Sequence, residues 1–234
     1  MTETLGKTIP LTRIQKLIGS LMHQSKQDKA CGYLSVWADL TELAGMRKKY
    51  SRQAGVRVTT NDMILYAMGR AILKYPITAG RLDRQAGGLV IPKSIGLGFA
   101  VAAPQGLVVP VIQKAEAKGL TQIAEASDDL LRRARSNKLI PDDFEGANMV
   151  LSGLGMYGIE AFYAVAPPSA TGIISIGFIG DHCAAVDGAV SSRKMMNISL
   201  AIDQQIVDDF TAAAFLRHIA DLLEDPWGLV KESK

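Results

Sequence analysis

The apolar residues of this chain repeat first at helical spacing and then at strand spacing, and the two periods alternate along the sequence. Residues 12–25 carry an apolar side chain every three or four positions, which predicts an amphipathic helix with one stripe facing a core. Residues 33–38 alternate between two faces, as a strand does, and residues 41–50 and 59–75 return to helical spacing. This order excludes an all-helical or all-β protein.

The second half of the chain also alternates between helical and strand spacing. It predicts strands over 95–103 and 106–112, a helix over 120–139, three further strands that include a hairpin, and a closing helix that starts near Phe210. The hydrophobic content of 48% can fill a substantial core, and no linker-like stretch divides the sequence. We therefore expect one α+β domain over residues 1–234, with a mixed or largely antiparallel sheet.

Composition excludes several classes of partner. The 26 basic and 23 acidic side chains are scattered, with no long block of like charge, so nucleic-acid binding is not expected. Cys31 and Cys183 are far apart and neither lies in a Cys-x-x-Cys pair, which fits a reducing compartment. No secretory signal or run of about 18 apolar residues is present. The chain is expected to be a soluble cytoplasmic protein that does not bind membranes.

A glycine-rich stretch follows a predicted strand, with Gly153, Gly155 and Gly158 in the order Gly-x-Gly-x-x-Gly. A dinucleotide site needs a helix directly after these glycines, but the prolines at 167–168 leave room for only a short one, so this function is not favoured. Ser152 immediately precedes the glycines, where backbone can approach a ligand closely. Its hydroxyl is a candidate donor to an oxyanion, although a serine at this kind of junction commonly caps a turn.

Other residues with chemical potential have ordinary interpretations. His23, His182 and His218 lack metal-ligand spacing, so no metal site is expected. His182 lies in a predicted loop and is the most plausible base among them. Lys29 stands in Asp-Lys-Ala, the tripeptide that carries lipoyl-lysine in carrier domains, but here it follows a helix directly. We expect Lys29 to lie in a solvated surface turn.

Several segments together, in order and spacing, resemble the catalytic domain of the 2-oxo acid dehydrogenase acyltransferases, the E2 components. They are IPLTRIQKLIGSLMHQSKQ, SVWADLTEL, TTNDMILYAMGRAILKYP, SIGLGFAVAAPQGLVVPVI and LIPDDFEGANMVLSGLGMYGIEAF. CGY at 31–33 is similar to a stretch of some chloramphenicol acetyltransferases, which share the fold. The resemblance runs from about Ile9 to Val230. It implies an α+β two-layer sandwich with a mixed, largely antiparallel sheet and packed helices.

The family's hallmark, Asp-His-Arg-x-x-Asp-Gly, falls on DQQIVDD at 203–209. Asp203 and Asp208 match this pattern. Gln204 replaces the histidine, which is the general base in the family, and Gln205 and Asp209 replace the arginine and the glycine. Glutamine has no useful basicity near neutral pH, so transfer by the family's usual route should be weakened.

The resemblance also implies roles for the remaining site residues. Gln204, Ser152 and Asp208 are the candidate catalytic residues, with Ser152 as the oxyanion donor, and Asp203 supports the loop. Candidate contacts to coenzyme A (CoA) or to the acceptor are Cys31, Tyr33, Gly153, Gly155 and Tyr157. Acyl-CoA is the expected co-substrate and no covalent cofactor is implied. The site is expected in a channel between subunits of a homotrimer.

Three explanations of Gln204 stay open at this stage. The chain is an inactivated variant of an ordinary acyltransferase, an enzyme with a displaced base such as His182 or Asp208, or a non-catalytic homologue that binds acyl-CoA or supports an assembly. No lipoyl or subunit-binding segment is evident in the sequence. The leading functional hypothesis is therefore O-acetylation of a small-molecule hydroxyl, such as a tetronate intermediate of polyketide antibiotic biosynthesis. An excised E2 core is the alternative.

Overall fold

The computed structural model describes residues 6–231 apart from residues 84, 86, 105 and 187. Within these residues the helices are α1 (Arg13–Asp28), α2 (Thr41–Ala54), α3 (Thr60–Lys74), α4 (Leu120–Arg135), α5 (Asp209–Glu224) and α6 (Pro226–Lys231). The strands are β1 (Cys31–Asp39), β2 (Arg81–Asp83), β3 (Gly88–Val90), β4 (Leu97–Phe99), β5 (Val101–Ala103), β6 (Gly106–Val108), β7 (Val111–Ile112), β8 (Met149–Gly153), β9 (Gly172–Ile176), β10 (Gly180–Val186) and β11 (Ala189–Asp203).

Seven strands form the main sheet, in the order β1-β11-β9-β8-β4-β7, with β10 also paired to β11. The β8–β9 and β4–β8 pairs are parallel, and the other four pairs in this sheet are antiparallel. Strands β2 and β3 form one separate hairpin, and β5 and β6 form another. The predicted mixed, largely antiparallel α+β fold is confirmed.

Helices α2 to α5 cover one face of the main sheet. Helix α3 packs against α4 and α5, and α5 packs directly against β1 and β11. Residues 63–68 of α3 are all buried, because this helix is enclosed between its neighbours and the sheet. On β1, Leu34, Val36 and Ala38 face this core and the alternate residues face the other way, as the strand period requires.

Helix α1 differs from its predicted packing. Its apolar residues Ile14, Leu17 and Leu21 are exposed in the isolated chain, and Ser25 is its one fully buried residue. The Ser25 hydroxyl donates to the carbonyl oxygen of Ala166 at 2.6 Å, which ties the helix to the loop over the second face of the sheet. The predicted stripe exists, but no core formed by the described residues covers it.

Several element boundaries differ slightly from prediction. Helix α3 begins one residue after the predicted start, because Thr59 accepts a hydrogen bond from the Asp62 backbone and caps the helix. Asp208 caps α5, which therefore begins one residue before Phe210, and α6 was not predicted. Within the described part of the chain, no helix combines the length and the apolar character needed to cross a membrane.

A buried carboxylate joins two of the packed helices. Asp62 on α3 accepts hydrogen bonds from the Thr59 backbone at 2.7 Å, from the Thr59 hydroxyl at 2.7 Å and from the Ser127 hydroxyl of α4. Only 3% of Asp62 is exposed. Because a buried carboxylate cannot exchange a lost donor for water, each of these bonds should matter to stability.

We expect Ser127→Ala to lower the free energy of unfolding by about 1–3 kcal/mol, because it leaves one buried oxygen of Asp62 without its donor. Ser136→Ala, at the exposed end of the same helix, is the matched control and should change it by less than about 0.5 kcal/mol. Urea unfolding of both variants measures the difference. Equal small effects would contradict the assigned role of Ser127.

The same carboxylate predicts a pH dependence. Burial raises the pKa of the Asp62 carboxyl above its ordinary value. The folded protein therefore holds this proton more tightly than the unfolded chain, and the associated stability is lost as pH rises through the folded-state pKa. The free energy of unfolding of the parent minus that of Asp62→Asn should fall as pH rises above about 4, the ordinary pKa of an aspartate. A rise over this range, measured by urea unfolding, would show that the pKa is lowered instead.

Candidate active site

The loop that follows β11 is fixed around Asp203, which is almost fully buried. The Asp203 backbone donates to Thr171, and its carbonyl accepts from both Ile206 and Val207 at 3.0 Å, which forms a tight turn. Its carboxylate accepts from the backbone and the side chain of Gln205, each at 3.1 Å. The structure thus places Asp203 as a support of the loop through hydrogen bonds, without an arginine partner in the described residues.

Gln204 is held at the exposed side of this turn. Its backbone donates to Ala30 at 2.8 Å, and its side-chain Nε2 donates to Asp209 Oδ1 at 2.5 Å. The side chain lies directly against Gly32, where an added Cβ would be 2.8 Å from Gln204 Cδ. Gly32 therefore makes room for the residue that stands at the family's histidine position.

Asp208 is occupied by the helix that it begins. Its Oδ1 accepts from the Thr211 backbone at 2.9 Å and its Oδ2 from the Thr211 hydroxyl at 2.8 Å. These bonds, the backbone bond first, lower the pKa of the Asp208 carboxyl below its ordinary value. Since both oxygens are engaged as a helix cap, Asp208 is poorly placed to take a proton from an acceptor.

The sequence predicted that Lys29 lies in a solvated surface turn, and this prediction is wrong. The side chain is half-buried, and its ammonium group donates to the carbonyls of Pro167 at 2.5 Å and Ala170 at 2.6 Å. Loss of solvation lowers the pKa of Lys29, and the nearby Asp203 charge opposes this shift. The lysine thus fastens the 167–170 loop beside the turn that carries Gln204.

Cys31 and Tyr33 lie on β1 beside this turn. Cys31 is paired with Asp203 on β11. Gly32, the residue between Cys31 and Tyr33, contacts Gln204. Tyr33 accepts a hydrogen bond from Lys26 Nζ at 2.8 Å, and its ring meets Tyr163 edge-on with centroids 5.3 Å apart. Cys31 and Tyr33 therefore flank the glycine that Gln204 contacts, but their own side chains leave β1 on its other face.

Ser152 lies in a different region, at the end of β8. The next residues, Gly153 and Gly155, line a pocket of about 570 Å³, whereas Tyr157 is exposed and not among the residues that line it. Gly155 approaches the segment after β9 so closely that a Cβ would be 2.5 Å from the carbonyl oxygen of Gly177. Residues 155–157 form one short 3-10 turn, in place of the long helix that a dinucleotide site requires.

The strand register places Ser152 far from the turn that carries Gln204. Ser152 is paired with Ser175 on β9, and Ser175 with Ser199 on β11, so they form one row across the sheet. At about 3.3 Å per residue and about 4.8 Å per strand, this row places Ser152 roughly 16 Å from the Asp203 turn. Gln204 and Ser152 therefore do not meet within one chain.

His182 is also remote from Gln204. It lies within β10 and not in the predicted loop, and it is paired with Arg193, ten residues along β11 from Asp203, or roughly 30 Å. Its ring lies against Trp37, with centroids 5.0 Å apart. Within one chain, His182 cannot replace a base at the Gln204 position.

A second pocket, of about 330 Å³, adjoins the glycine-lined one. The two share Asn61, Phe99, Ala100 and Met156. Arg57 and Arg135 line the second pocket, together with the acidic Asp62 and Asp128. Neither arginine makes an ion pair within the described residues. Among those residues, no cluster of histidine, cysteine or acidic side chains could hold a metal ion.

Sequence reasoning missed four residues that shape these regions: Gly32, Lys29, Arg57 and Arg135. The CGY motif gave a signal for Gly32, because a glycine between two candidate contacts indicates close approach. No sequence signal indicated the role of Lys29, since its partners are backbone carbonyls far along the chain. The two arginines are 78 positions apart in sequence and share a pocket only through the fold.

Known proteins match this fold and this sequence together. The family described as 2-oxoacid dehydrogenases acyltransferase (catalytic domain) matches residues 3–231. The dihydrolipoyllysine-residue acetyltransferase component of the Rickettsia felis pyruvate dehydrogenase complex is 28% identical over 224 residues. The match covers 94% of this chain and 54% of that protein, so the chain spans about half the length of this curated relative.

Solved structures agree with this assignment. The dihydrolipoamide acetyltransferase of Azotobacter vinelandii, studied for a serine, a histidine and an asparagine in its mechanism, has a TM-score of 0.89 at 30% identity. The cubic core of the pyruvate dehydrogenase multienzyme complex has the same values, and both matches cover 96% of this chain and 93% of the other. Chloramphenicol acetyltransferase, at 14% identity, a TM-score of 0.55 and coverage of 87% and 94%, shares the fold alone.

The strand order, the loop at residues 203–209 and the match over residues 3–231 lead to one conclusion: the chain belongs to the 2-oxoacid dehydrogenase acyltransferase catalytic-domain family.

Proposed function

We propose that this chain transfers an acyl group between coenzyme A and a dihydrolipoyl thiol, as the catalytic core of an E2-type acyltransferase. The single observation that carries the proposal is the family match over residues 3–231, together with the E2 fold at a TM-score of 0.89. The curated relative is itself named for a dihydrolipoyllysine residue. We propose that residues 1–234 act as one catalytic domain and that the acceptor thiol is supplied by a lipoyl carrier.

The two adjoining pockets support acyl-CoA as the co-substrate. The first is bordered by Gly153 and Gly155, whose missing side chains leave backbone accessible beside Ser152. The second offers the guanidinium groups of Arg57 and Arg135, which suit the phosphates of coenzyme A. Ser152 itself lines neither pocket, since its strand neighbours Leu151 and Gly153 border the first one. Its hydroxyl makes no hydrogen bond in the described residues and can donate to the oxyanion of a thioester that reaches the other face of β8.

We further propose that the site is completed between copies of the chain, in a homotrimer. The separation of roughly 16 Å between Ser152 and the Gln204 turn leaves each chain with two half-sites. Tyr33 and Trp37, on the sheet face opposite the core, and the apolar stripe of α1 are exposed in the isolated chain. Exposed apolar groups of this extent favour association, and a second copy is the simplest source of the missing half-site.

The acceptor in this proposal is a thiol, not the small-molecule hydroxyl favoured by the sequence. The relative and the closely similar structure are both acetyltransferases of lipoyl groups, and none of the comparisons supports O-acetylation of a polyketide. The alternative of an E2 core therefore replaces the tetronate hypothesis. A second candidate, an acyl-CoA-binding assembly core without turnover, is favoured by one observation, the glutamine at the position of the family's base.

The purified chain should transfer acetyl groups from acetyl-CoA to dihydrolipoamide, measured as formation of the acetylated thiol. Transfer to an alcohol of similar size, such as the dihydroxy analogue of dihydrolipoamide, should be at least about tenfold slower, because a hydroxyl gives up its proton much less readily than a thiol. Acetyl-CoA binding without any transfer would contradict the proposed activity and support the assembly-core alternative.

Ser152→Ala should lower kcat for this transfer by about 10²-fold, because it removes one donor to the developing oxyanion. The KM for acetyl-CoA should change little, since the donor acts mainly in the transition state. Ser192→Ala, an exposed serine on the β10–β11 hairpin, is the matched control and should retain the parent rate. A Ser152→Ala variant as active as this control would remove Ser152 from the mechanism.

A further inference from the structure

We infer that Asp209 is the proton acceptor of this site and that Gln204 positions it. The inference rests on the proposed acyl transfer and names the residue that performs the step for which the family uses histidine. The family pattern has a glycine at position 209, so nothing in that pattern assigns a role to a side chain there.

The contact between Gln204 and Asp209 is the primary observation. The amide Nε2 of Gln204 donates to Asp209 Oδ1 at 2.5 Å. Gln204 is itself held by its backbone bond to Ala30 and by the close surface of Gly32. The Gln204 amide, itself on a fixed turn, therefore holds Asp209 Oδ1 beside the position that the histidine takes in the family.

The other oxygen, Asp209 Oδ2, makes no hydrogen bond within the part of the chain that the structure describes, and Asp209 is exposed. This oxygen is therefore accessible to an acceptor. Asp209 is also the first residue of α5, a helix of 16 residues, where a negative charge is favoured by the helix dipole. Its position and its unbonded oxygen therefore leave Asp209 open to a proton on the acceptor.

The neighbouring groups are less suited to this step. Asp203 is buried and bonded to Gln205, and both oxygens of Asp208 are bonded to Thr211. His182 lies roughly 30 Å away along β11. Among the carboxylates of residues 203–209, Asp209 alone has a free oxygen on the Gln204 side of the loop.

The proton balance of the transfer is complete with Asp209. Asp209 Oδ2 takes the proton from the acceptor thiol as the sulfur bonds to the thioester carbonyl carbon. The tetrahedral oxyanion then collapses, the bond from carbon to the coenzyme A sulfur breaks, and that sulfur takes the proton from Asp209. One thioester and one thiol are consumed and one of each is formed, with no net change in charge or redox state.

This assignment favours a thiol acceptor over a hydroxyl. A free thiol has a pKa of about 8.5, and an alcohol is many orders of magnitude less acidic. A carboxylate is a weaker base than imidazole, so it can assist the ionisation of a thiol but gives little help to an alcohol. A Gln204–Asp209 pair in place of the histidine thus favours acceptors that carry a thiol over those that carry a hydroxyl.

The test uses the full chain with acetyl-CoA and dihydrolipoamide, and measures kcat, KM and the Kd of acetyl-CoA by calorimetry. Asp209→Asn keeps the shape and an acceptor oxygen but removes the base, and should lower kcat by about 10²-fold or more with an unchanged Kd. Gln204→Met, similar in length but unable to donate, should lower kcat by about tenfold without raising KM. Asp221→Asn removes the same charge near the far end of α5 and should be silent.

A rescue experiment separates chemistry from structure. Asp209→Gly should be as impaired as Asp209→Asn, and adding Gln204→His to Asp209→Gly should recover at least about tenfold, because imidazole then supplies the base. An active parent whose Asp209→Asn variant stays within about twofold would overturn the role of Asp209 and leave the proposed function intact. A parent with no transfer to dihydrolipoamide would overturn both.

Discussion

The register of β11 is the constraint on which the rest of the structure depends. This strand of 15 residues lies between β1 and β9 along its second half and pairs with β10 along its first. Because pairing with two neighbours fixes its position, it delivers the turn at Asp203 to one end of the sheet and the hairpin with His182 to the other. Both faces are buried over residues 196–203, and a slip of one residue would exchange the apolar side chains that face the helices for the polar Asn197, Ser199 and Asp203. This difference between the two faces locks the register.

The turn at the end of β11 depends on a second, more local set of contacts. Lys29 and Asp203 each bring a charged group partly or almost fully out of water, which is unfavourable unless its polar atoms are bonded. The ammonium group of Lys29 is bonded to two carbonyls, and the carboxylate of Asp203 to Gln205. These bonds connect α1, the 167–170 loop and the turn. The exposed Gln204 therefore lies on a turn that hydrogen bonds hold in place.

The sequence predicted most of the secondary structure because its periods are strong, as in α3 and α4. It failed where an element's partner is absent from local sequence: the apolar stripe of α1 predicted a core that the described residues do not form. For the site, the family pattern located the 203–209 loop, and β1 brought Cys31 and Tyr33 to it. No local pattern could show that Lys29 is half-buried, or that Ser152 on β8 lies level with Ser199, several residues before Gln204, since both depend on long-range contacts.

The departures from the family pattern at 204, 205 and 209 are best understood together. If the loop had simply lost its function, the replaced side chains would have no reason to bond to one another or to the framework. Gln204 instead donates to Asp209, and Gln205 donates to Asp203 and to the carbonyl of Asp28 at 2.8 Å. The amide at the arginine position bonds the last residue of α1 to the turn, and the amide at the histidine position bonds a carboxylate. The loop is therefore a rebuilt hydrogen-bond network, and a single substitution within it cannot be interpreted apart from its partner.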